Sequence, residues 1–177
     1  MPKRSAKQIE EDEKKIIKYL LTDARQSIDK IAKNCNFSRQ KVWRIMKRLE
    51  EDKTIWGYTA IVDSNKLNEK NYTLLFKATH MSMSKEIANT VKNRTTEEKS
   101  KQIGVTIQSS YWINGYYDGM ICFTAHNIKE AKQFCDLILI TLKSHVSEVE
   151  LLEKIFPLKQ NYIENPRIND ILAYYQQ

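Results

Sequence analysis

Residues 38–49, SRQKVWRIMKRL, carry five cations and no acid on a segment with helical periodicity. The apolar residues recur at the spacing of one buried helix face, at Val42, Ile45, Met46 and Leu49. The opposite face presents Gln40, Trp43, Arg44 and Lys47, and the flanks present Arg39, Lys41 and Arg48. Such a helix suits the major groove of double-stranded DNA, because phosphates attract cations and because Arg and Gln can form paired hydrogen bonds with base edges.

The segment before this basic helix distinguishes two interpretations of it, a helix that contacts DNA and an ordinary solvent-exposed helix. Residues 27–35, SIDKIAKNC, carry an apolar stripe behind Ser27, a candidate N-cap. Asn36 can adopt the left-handed conformation that a tight turn needs, and Ser38 can cap the basic helix. Two short helices joined this tightly predict a helix-turn-helix whose second helix contacts DNA. Ser27 and Ser38 therefore join the seven polar side chains above as predicted DNA-binding residues.

The flanking segments complete a predicted domain over residues 1–63. Residues 12–21 have the pattern of a further amphipathic helix, and residues 55–62, IWGYTAIV, have that of a β-strand. A helix-turn-helix followed by a strand is the order of a winged-helix module. Residues 1–63 hold 15 Lys and Arg against 10 Asp and Glu, whereas residues 64–177 hold 14 against 12. The net charge of +7 is thus concentrated where a nucleic-acid surface would need it.

Composition argues against several other classes of protein. No apolar run approaches the ~20 residues of a membrane span, and the first residues resemble no secretory signal, so we expect a cytoplasmic protein with no membrane partner. The three cysteines, Cys35, Cys122 and Cys135, form no CxxC pair and are interpreted as small hydrophobic residues in a reducing compartment. With no metal motif, phosphate loop or nucleophile–base pair, we expect neither a cofactor nor enzymatic activity.

The second half of the chain alternates strands and helices. The predicted strands are residues 72–79, 105–113, 119–125 and 146–156, and the predicted helices are 84–103 and 128–142. Their order, βαββαβ, predicts a ferredoxin-like domain over residues 64–160, with helices on one face of an antiparallel sheet. The fold class is therefore α+β, an N-terminal winged helix-turn-helix domain plus this C-terminal domain. Residues 161–177 form a tail with a short predicted helix.

The open face of such a sheet, or its edges, is available to a partner, and we expect a homodimer through the exposed sheet. A dimer would also let two helix-turn-helix units contact two half-sites on DNA. An aromatic cluster near the 115–118 turn is interpreted as sheet core and dimer interface rather than as a platform for stacking bases: Tyr111, Trp112, Tyr116 and Tyr117.

These motifs together resemble the leucine-responsive regulatory protein/AsnC family of archaeal and bacterial regulators. The N-terminal match comprises DARQS at 23–27, Ile31-Ala32, Phe37-Ser38, Arg44 to Glu50 and IWGYTA at 55–60, and the C-terminal match is NGYYD at 114–118. The resemblance implies a transcription regulator that dimerises through its βαββαβ domains, assembles into octamers or other higher oligomers, and binds an amino-acid effector. It places the effector at Gly115, Tyr117, Asp118 and Gly119. The chain departs from the family pattern at Asn36, Gly119 and His145.

Two further interpretations of the DNA-binding unit remain open. The chain could be an architectural protein that coats DNA with little sequence preference, in the manner of chromatin. It could also be a metabolite-sensing module whose DNA binding is vestigial. The effector turn likewise has an alternative, a plain hairpin turn in which Asp118 bonds its own backbone.

Overall fold

A computed structural model of the chain describes residues 5–79, 85–142 and 145–175. The chain forms two compact units. One combines Met1–Ile61 with Pro157–Gln177, and the other is Val62–Phe156. The sequence predicts boundaries at 63/64 and 160/161 and a separate tail. In the structure the tail groups with the helix-turn-helix unit instead.

Three helices build the first unit: α1 (Ala6–Thr22), α2 (Ile28–Cys35) and α3 (Arg39–Glu51). The hydroxyl oxygens of Ser27 and Ser38 accept backbone N–H groups of Lys30 and Lys41, so each serine caps its helix. Asn36 has φ 56° and ψ 47° and ends α2 in the left-handed conformation. The predicted caps and turn of the helix-turn-helix are confirmed.

The core of this unit lies where the three apolar stripes meet. Its buried members come from all three helices: Ile16, Ile31, Ala32, Cys35, Val42, Ile45 and Leu49. Burying one Ile, Leu or Val side chain contributes about 1.5–3 kcal/mol, so this small cluster can hold three short helices together. One face of α3 is thereby committed to the core.

The second unit has the predicted ferredoxin-like architecture. Its elements are β1 (Lys70–Ala78), α4 (Lys85–Lys92), α5 (Thr95–Gln102), β2 (Thr106–Trp112), β3 (Gly119–Ala125), α6 (Ile128–Leu142) and β4 (Val146–Lys154). Among the described residues, the strands form an antiparallel four-stranded sheet in the order β2-β3-β1-β4. The helical segment predicted over 84–103 consists of two helices that are separated at Arg94, whose φ is 51°. Residue 84 lies outside the described residues.

Alternation along the strands divides the sheet into two faces. Tyr72, Leu74 and Phe76 point into a core shared with α6, where the ring centroids of Phe123 and Phe134 lie 4.6 Å apart. Residues at the intervening positions share the other face, because directly paired residues point the same way. That open face carries Thr73, Leu75, Tyr111, Met120, Cys122 and Leu152.

The strand predicted over residues 55–62 does not form. The backbone from Ile55 to Asp63 belongs to no strand, and the Trp56 side chain is 94% exposed. The residue types favour a strand, but a strand must pair with a neighbouring strand, and this segment pairs with none among the described residues. The described β-structure of the first unit is instead a hairpin of β5 (Lys159–Gln160) and β6 (Ile163–Glu164) in the tail, followed by the short helix α7 (Ile171–Tyr175).

Two global features bear on protein class. Over the described residues, no helix is both long and apolar enough to cross a bilayer, and no cluster of three or more His, Cys, Asp or Glu side chains could hold a metal ion. Cys35 and Cys135 are buried, as expected of small core residues, whereas Cys122 is half-buried on the open face of the sheet.

Candidate nucleic-acid interface

The solvent face of α3 carries the side chains predicted to enter the DNA groove. Gln40, Trp43, Arg44 and Lys47 are all exposed. They stand opposite Val42, Ile45 and Leu49, which anchor the helix in the core. The arrangement follows from the 3.6-residue period, and it leaves two planar polar groups and an indole free to approach base edges.

Lys47 on the solvent face and the flanking Arg39 and Arg48 are already paired with acids of the same unit. A guanidinium nitrogen of Arg39 lies 3.2 Å from the Asp29 carboxylate, and the Lys47 ammonium lies 3.7 Å from that of Glu51. The Nε–H of Arg48 donates to a carboxylate oxygen of Glu13 at 2.9 Å, and Nη2 of Arg48 lies 2.6 Å from the same oxygen. Exposed pairs of this kind contribute about 0–1 kcal/mol, so DNA phosphates can displace the acids of Arg39 and Lys47 at little cost.

Lys41 does not have the exposed position expected of a phosphate ligand. Its side chain is buried, and its ammonium lies 2.6 Å from a carboxylate oxygen of Asp12 on α1. The same ammonium is 3.4 Å from the centroid of the Phe37 ring, a distance typical of a cation–π contact. A phosphate could reach Lys41 only after this charge had left its carboxylate, so the predicted phosphate contact does not fit the geometry.

Arg44 differs from the other cations of α3. It is exposed, and among the described residues no acid or other polar group accepts a hydrogen bond from its guanidinium. Its neighbour Trp43 has the Lys47 ammonium 5.4 Å from its ring centroid. The unpaired guanidinium in the middle of the exposed face is the side chain best placed to contact a base.

Ser27 and Ser38 cap the N-termini of α2 and α3. Each hydroxyl oxygen accepts a backbone N–H at 3.2 Å, which leaves its own O–H free to donate to a phosphate. Their predicted contact with DNA therefore remains compatible with their role as caps.

Sequence reasoning missed Asp12, although a signal was present. Asp12 lies one helical turn before Ile16 on the inward face of α1, and it is 3% exposed. An acid on an apolar stripe requires a buried cation, and the pattern alone did not show which cation would reach it.

The predicted effector turn, residues 115–119, is tightly tied to the sheet. A carboxylate oxygen of Asp118 accepts the Ala78 backbone N–H at 2.8 Å, and the Asp118 N–H donates to the Phe76 carbonyl. The Tyr117 hydroxyl donates to Glu150 at 2.6 Å, and this hydrogen bond raises the pKa of Tyr117 to about 12. Asp118 thus joins β1 to the turn and does not bond its own backbone.

The two glycines of the turn differ in their surroundings. A Cβ at Gly115 would meet nothing within 4 Å, so a ligand can approach its backbone. A Cβ at Gly119 would lie 1.9 Å from the Phe76 ring, which covers this buried residue. Close approach of a ligand was expected at both positions; Phe76 prevents it at Gly119.

An open apolar groove of about 840 Å³ lies elsewhere in the first unit. The end of α1, the segment 54–61 and the tail hairpin line it, and α3 contributes no residue. The groove is therefore separate from the face predicted to bind DNA.

Comparisons with known proteins agree with this architecture. Residues 13–55 match the family model of winged helix-turn-helix DNA-binding domains. The HTH-type transcriptional regulator FL11 of Pyrococcus horikoshii is 24% identical over 154 residues, covering 81% of this chain and 95% of that protein. Residues 13–55 thus form a winged helix-turn-helix DNA-binding domain, and the chain as a whole is similar to a transcription regulator.

Solved structures of similar proteins identify the fold more specifically. An AsnC family transcriptional regulator from Agrobacterium tumefaciens superposes with a TM-score of 0.62 at 18% identity, covering 84% of this chain and 92% of that one. The regulator NMB0573 of Neisseria meningitidis, solved as a complex with L-Met, gives 0.60 at 14% identity, covering 87% and 94%. The chain has the two-part fold of the leucine-responsive regulatory protein/AsnC regulators.

Proposed function

We propose that this chain is a sequence-specific regulator that binds double-stranded DNA through the exposed face of α3. The observation that carries the proposal is the placement of Arg44, an exposed and unpaired guanidinium beside Gln40 and Trp43 on a helix whose other face is fixed in the core. Phosphate contacts from Arg39, Lys47 and Arg48 would set the register of the helix on the duplex. Such a regulator would act in the cytoplasm, where archaea and bacteria keep their chromosomes.

The pairing of the α3 cations argues against an architectural coating protein. Non-specific binding draws its affinity from cations that neutralise phosphates and release counterions. Here acids of the same unit already partner Arg39, Lys41, Lys47 and Arg48. Displacing the exposed acids of Arg39 and Lys47 costs little, but freeing the buried Lys41 from Asp12 costs more, which lowers non-specific affinity relative to base recognition.

Selection of bound sequences from random DNA, followed by a salt titration, tests the proposal. A regulator should enrich one motif, with specific binding about 10³–10⁷ times tighter than binding to unrelated DNA. Enrichment of no motif, with equal affinity for all duplexes, would identify an architectural protein. Absence of measurable binding at low salt would leave only the metabolite-sensing alternative.

We propose that the chain dimerises through the open face of the sheet, and higher assemblies such as octamers would build on that dimer. Tyr111 and Leu152 are 54% and 42% exposed on this face and would gain most from burial against a second copy. Two copies are also what a helix-turn-helix needs to bind two half-sites.

Cys122 offers a probe of this interface. Burial raises the pKa of its thiol, but hydrogen bonds with Thr73 and Ser109 and the charge of Lys154 outweigh burial and lower the pKa below the usual 9.0. Because the thiolate is the reactive form, we expect iodoacetamide to label Cys122 before Cys35 and Cys135, with a rate that rises through a midpoint below pH 9.0. Dimerisation should slow this labelling as protein concentration increases, measured by mass spectrometry alongside light scattering. A concentration-independent rate in a protein that does dimerise would place the interface elsewhere.

We further propose that the 115–118 turn binds an amino acid, with Asp118 pairing with the ligand ammonium. One oxygen of Asp118 holds the Ala78 N–H, and the other can accept the ligand. The backbone at Gly115 is open to the ligand's carboxylate. The L-Met complex of the Neisseria regulator supports an amino acid as the class of effector.

A thermal-shift series against the twenty amino acids should identify the effector. At 100 times its dissociation constant, a ligand adds about 2.7 kcal/mol to the free energy of unfolding. The variant Asp118→Asn keeps an oxygen for Ala78 but loses the charge, so it should fold and lose the shift. If no amino acid raises the melting temperature of the parent at millimolar concentration, the effector is not an amino acid.

A further inference from the structure

The ion pair between α1 and α3 is buried and takes no part in the DNA contacts proposed above. Asp12 is 3% exposed and Lys41 is 9% exposed, and their charged groups are 2.6 Å apart. Lys41 is also the third residue of the DNA-facing helix, and the hydroxyl oxygen of Ser38 caps its backbone N–H. A cation at the N-terminal turn of this helix would ordinarily be the first to meet a phosphate, yet it points inward.

Stability alone does not explain a pair of this kind. Removing two charges from water is expensive, and replacing a buried pair by apolar residues of similar volume is often neutral or stabilising. A buried pair does, however, require one geometry, because either charge left alone in the interior is penalised severely. A buried pair can in this way specify how α1 and α3 meet.

The location of the pair links that geometry to the DNA-facing side chains. A small cleft of about 160 Å³ is lined by Asp12, Lys41, Arg44 and Arg48, together with Ile9 and Ile45. Arg44 and Arg48 thus border the same cleft as the ion pair. Phe37, in the turn between α2 and α3, lies against the Lys41 ammonium and connects the turn to the same point.

We propose that Asp12 and Lys41 are positioning residues for DNA recognition. Their pair fixes the N-terminal turn of α3 against α1, which sets the direction of Gln40 and Arg44. It also removes one positive charge from the DNA-facing surface of the protein, so the phosphates of any duplex, whatever its sequence, attract the helix less. Both effects raise the ratio of specific to non-specific affinity. This inference rests on the proposed function of α3 as the helix that contacts bases.

An apolar replacement of the pair separates positioning from stability. The double variant Asp12→Leu/Lys41→Met keeps the net charge and a similar number of side-chain heavy atoms, and its melting temperature should stay near that of the parent. Its specific-to-non-specific affinity ratio should fall about tenfold, because apolar contacts allow α3 more than one orientation. The control Glu10→Gln/Lys14→Gln removes an exposed ion pair from α1, with the same change in charge, and should leave the ratio unchanged.

A second variant keeps the inference testable if the double variant does not fold. Asp12→Asn is isosteric and retains an oxygen for the Lys41 ammonium, but it no longer neutralises that charge. Lys41 should then be drawn to phosphate, so the slope of log K against log salt should steepen by about 0.9 and non-specific affinity should rise. A residue with only a structural role would not change the salt slope.

The parent protein distinguishes failure of this inference from failure of the proposed function. If the parent selects no sequence, the proposed function itself is wrong. If the parent selects a motif, an unchanged affinity ratio in the folded double variant overturns the positioning role. If the double variant does not fold, an unchanged salt slope in Asp12→Asn overturns it.

Discussion

Replacing Gly119 by alanine is expected to destabilise the sheet unit by about 3 kcal/mol, at the upper end of the usual cost of overpacking a core. An added Cβ would lie 1.9 to 2.5 Å from three atoms of the Phe76 ring, so the ring or the strand must move. Phe76 is itself 6% exposed and packs edge-on against Trp112, with ring centroids 5.6 Å apart. Few directions are open to the displaced ring. Hydrogen exchange of the β1 and β3 amides reports this loss for the sheet unit separately from the helical unit.

Gly115→Ala is the matched control for this prediction. It makes the same chemical change four residues away, in the same turn, where a Cβ meets nothing within 4 Å, and it should alter stability little. A second check removes the Phe76 ring that the added Cβ would meet. In a Phe76→Leu background, Gly119→Ala should lower the free energy of unfolding by less than it does in the parent. Equal costs in both backgrounds would show that the ring is not the obstacle.

The parts of the fold predicted from sequence are those decided by local contacts. Ser27 and Ser38 cap helices through N–H groups three residues away, and Asn36 turns the chain through its own backbone preference. Each depends on neighbours that can be identified in the sequence itself. The ferredoxin-like plan of the second unit is predicted from the βαββαβ order of its elements, each of which local hydrophobic patterns indicate. The order of the strands in the sheet, β2-β3-β1-β4, comes from the structure.

The features that sequence missed depend on residues far apart in the chain. Lys41 has the spacing of a flank residue, and only its contact with Asp12, 29 positions earlier, turns it inward. Residues 55–62 have the composition of a strand, but pairing needs a second segment, and composition does not supply one. The position of Gly119 beneath Phe76 depends on the register of β1 against β3, which a single strand does not specify.

The same distinction divides the candidate DNA-binding residues into two sets. Helical periodicity alone placed Gln40, Trp43 and Arg44 on the solvent face, where the structure has them. Arg39 and Arg48 pair with acids of α2 and α1, which the helical wheel of α3 does not contain, and Lys47 pairs with Glu51 one turn further along α3. We therefore expect base recognition to depend on the first set and general affinity on the second.

Arg44→Ala should weaken binding to the selected DNA site by about 1–3 kcal/mol and relax the preference at one base pair. The guanidinium is exposed and has no protein partner among the described residues, so its loss costs the free protein little, and the effect appears in the complex. Arg39→Ala should instead weaken all duplexes alike, and by less, because Arg39 must first leave Asp29. Lys101→Ala removes one positive charge from an exposed position in the other unit and serves as the control for net charge. Binding measured on the selected site, on its single-base variants and on unrelated DNA separates these cases. An Arg44→Ala protein that retained both parental affinity and parental base preference would show that α3 contacts DNA without using this side chain to recognise bases.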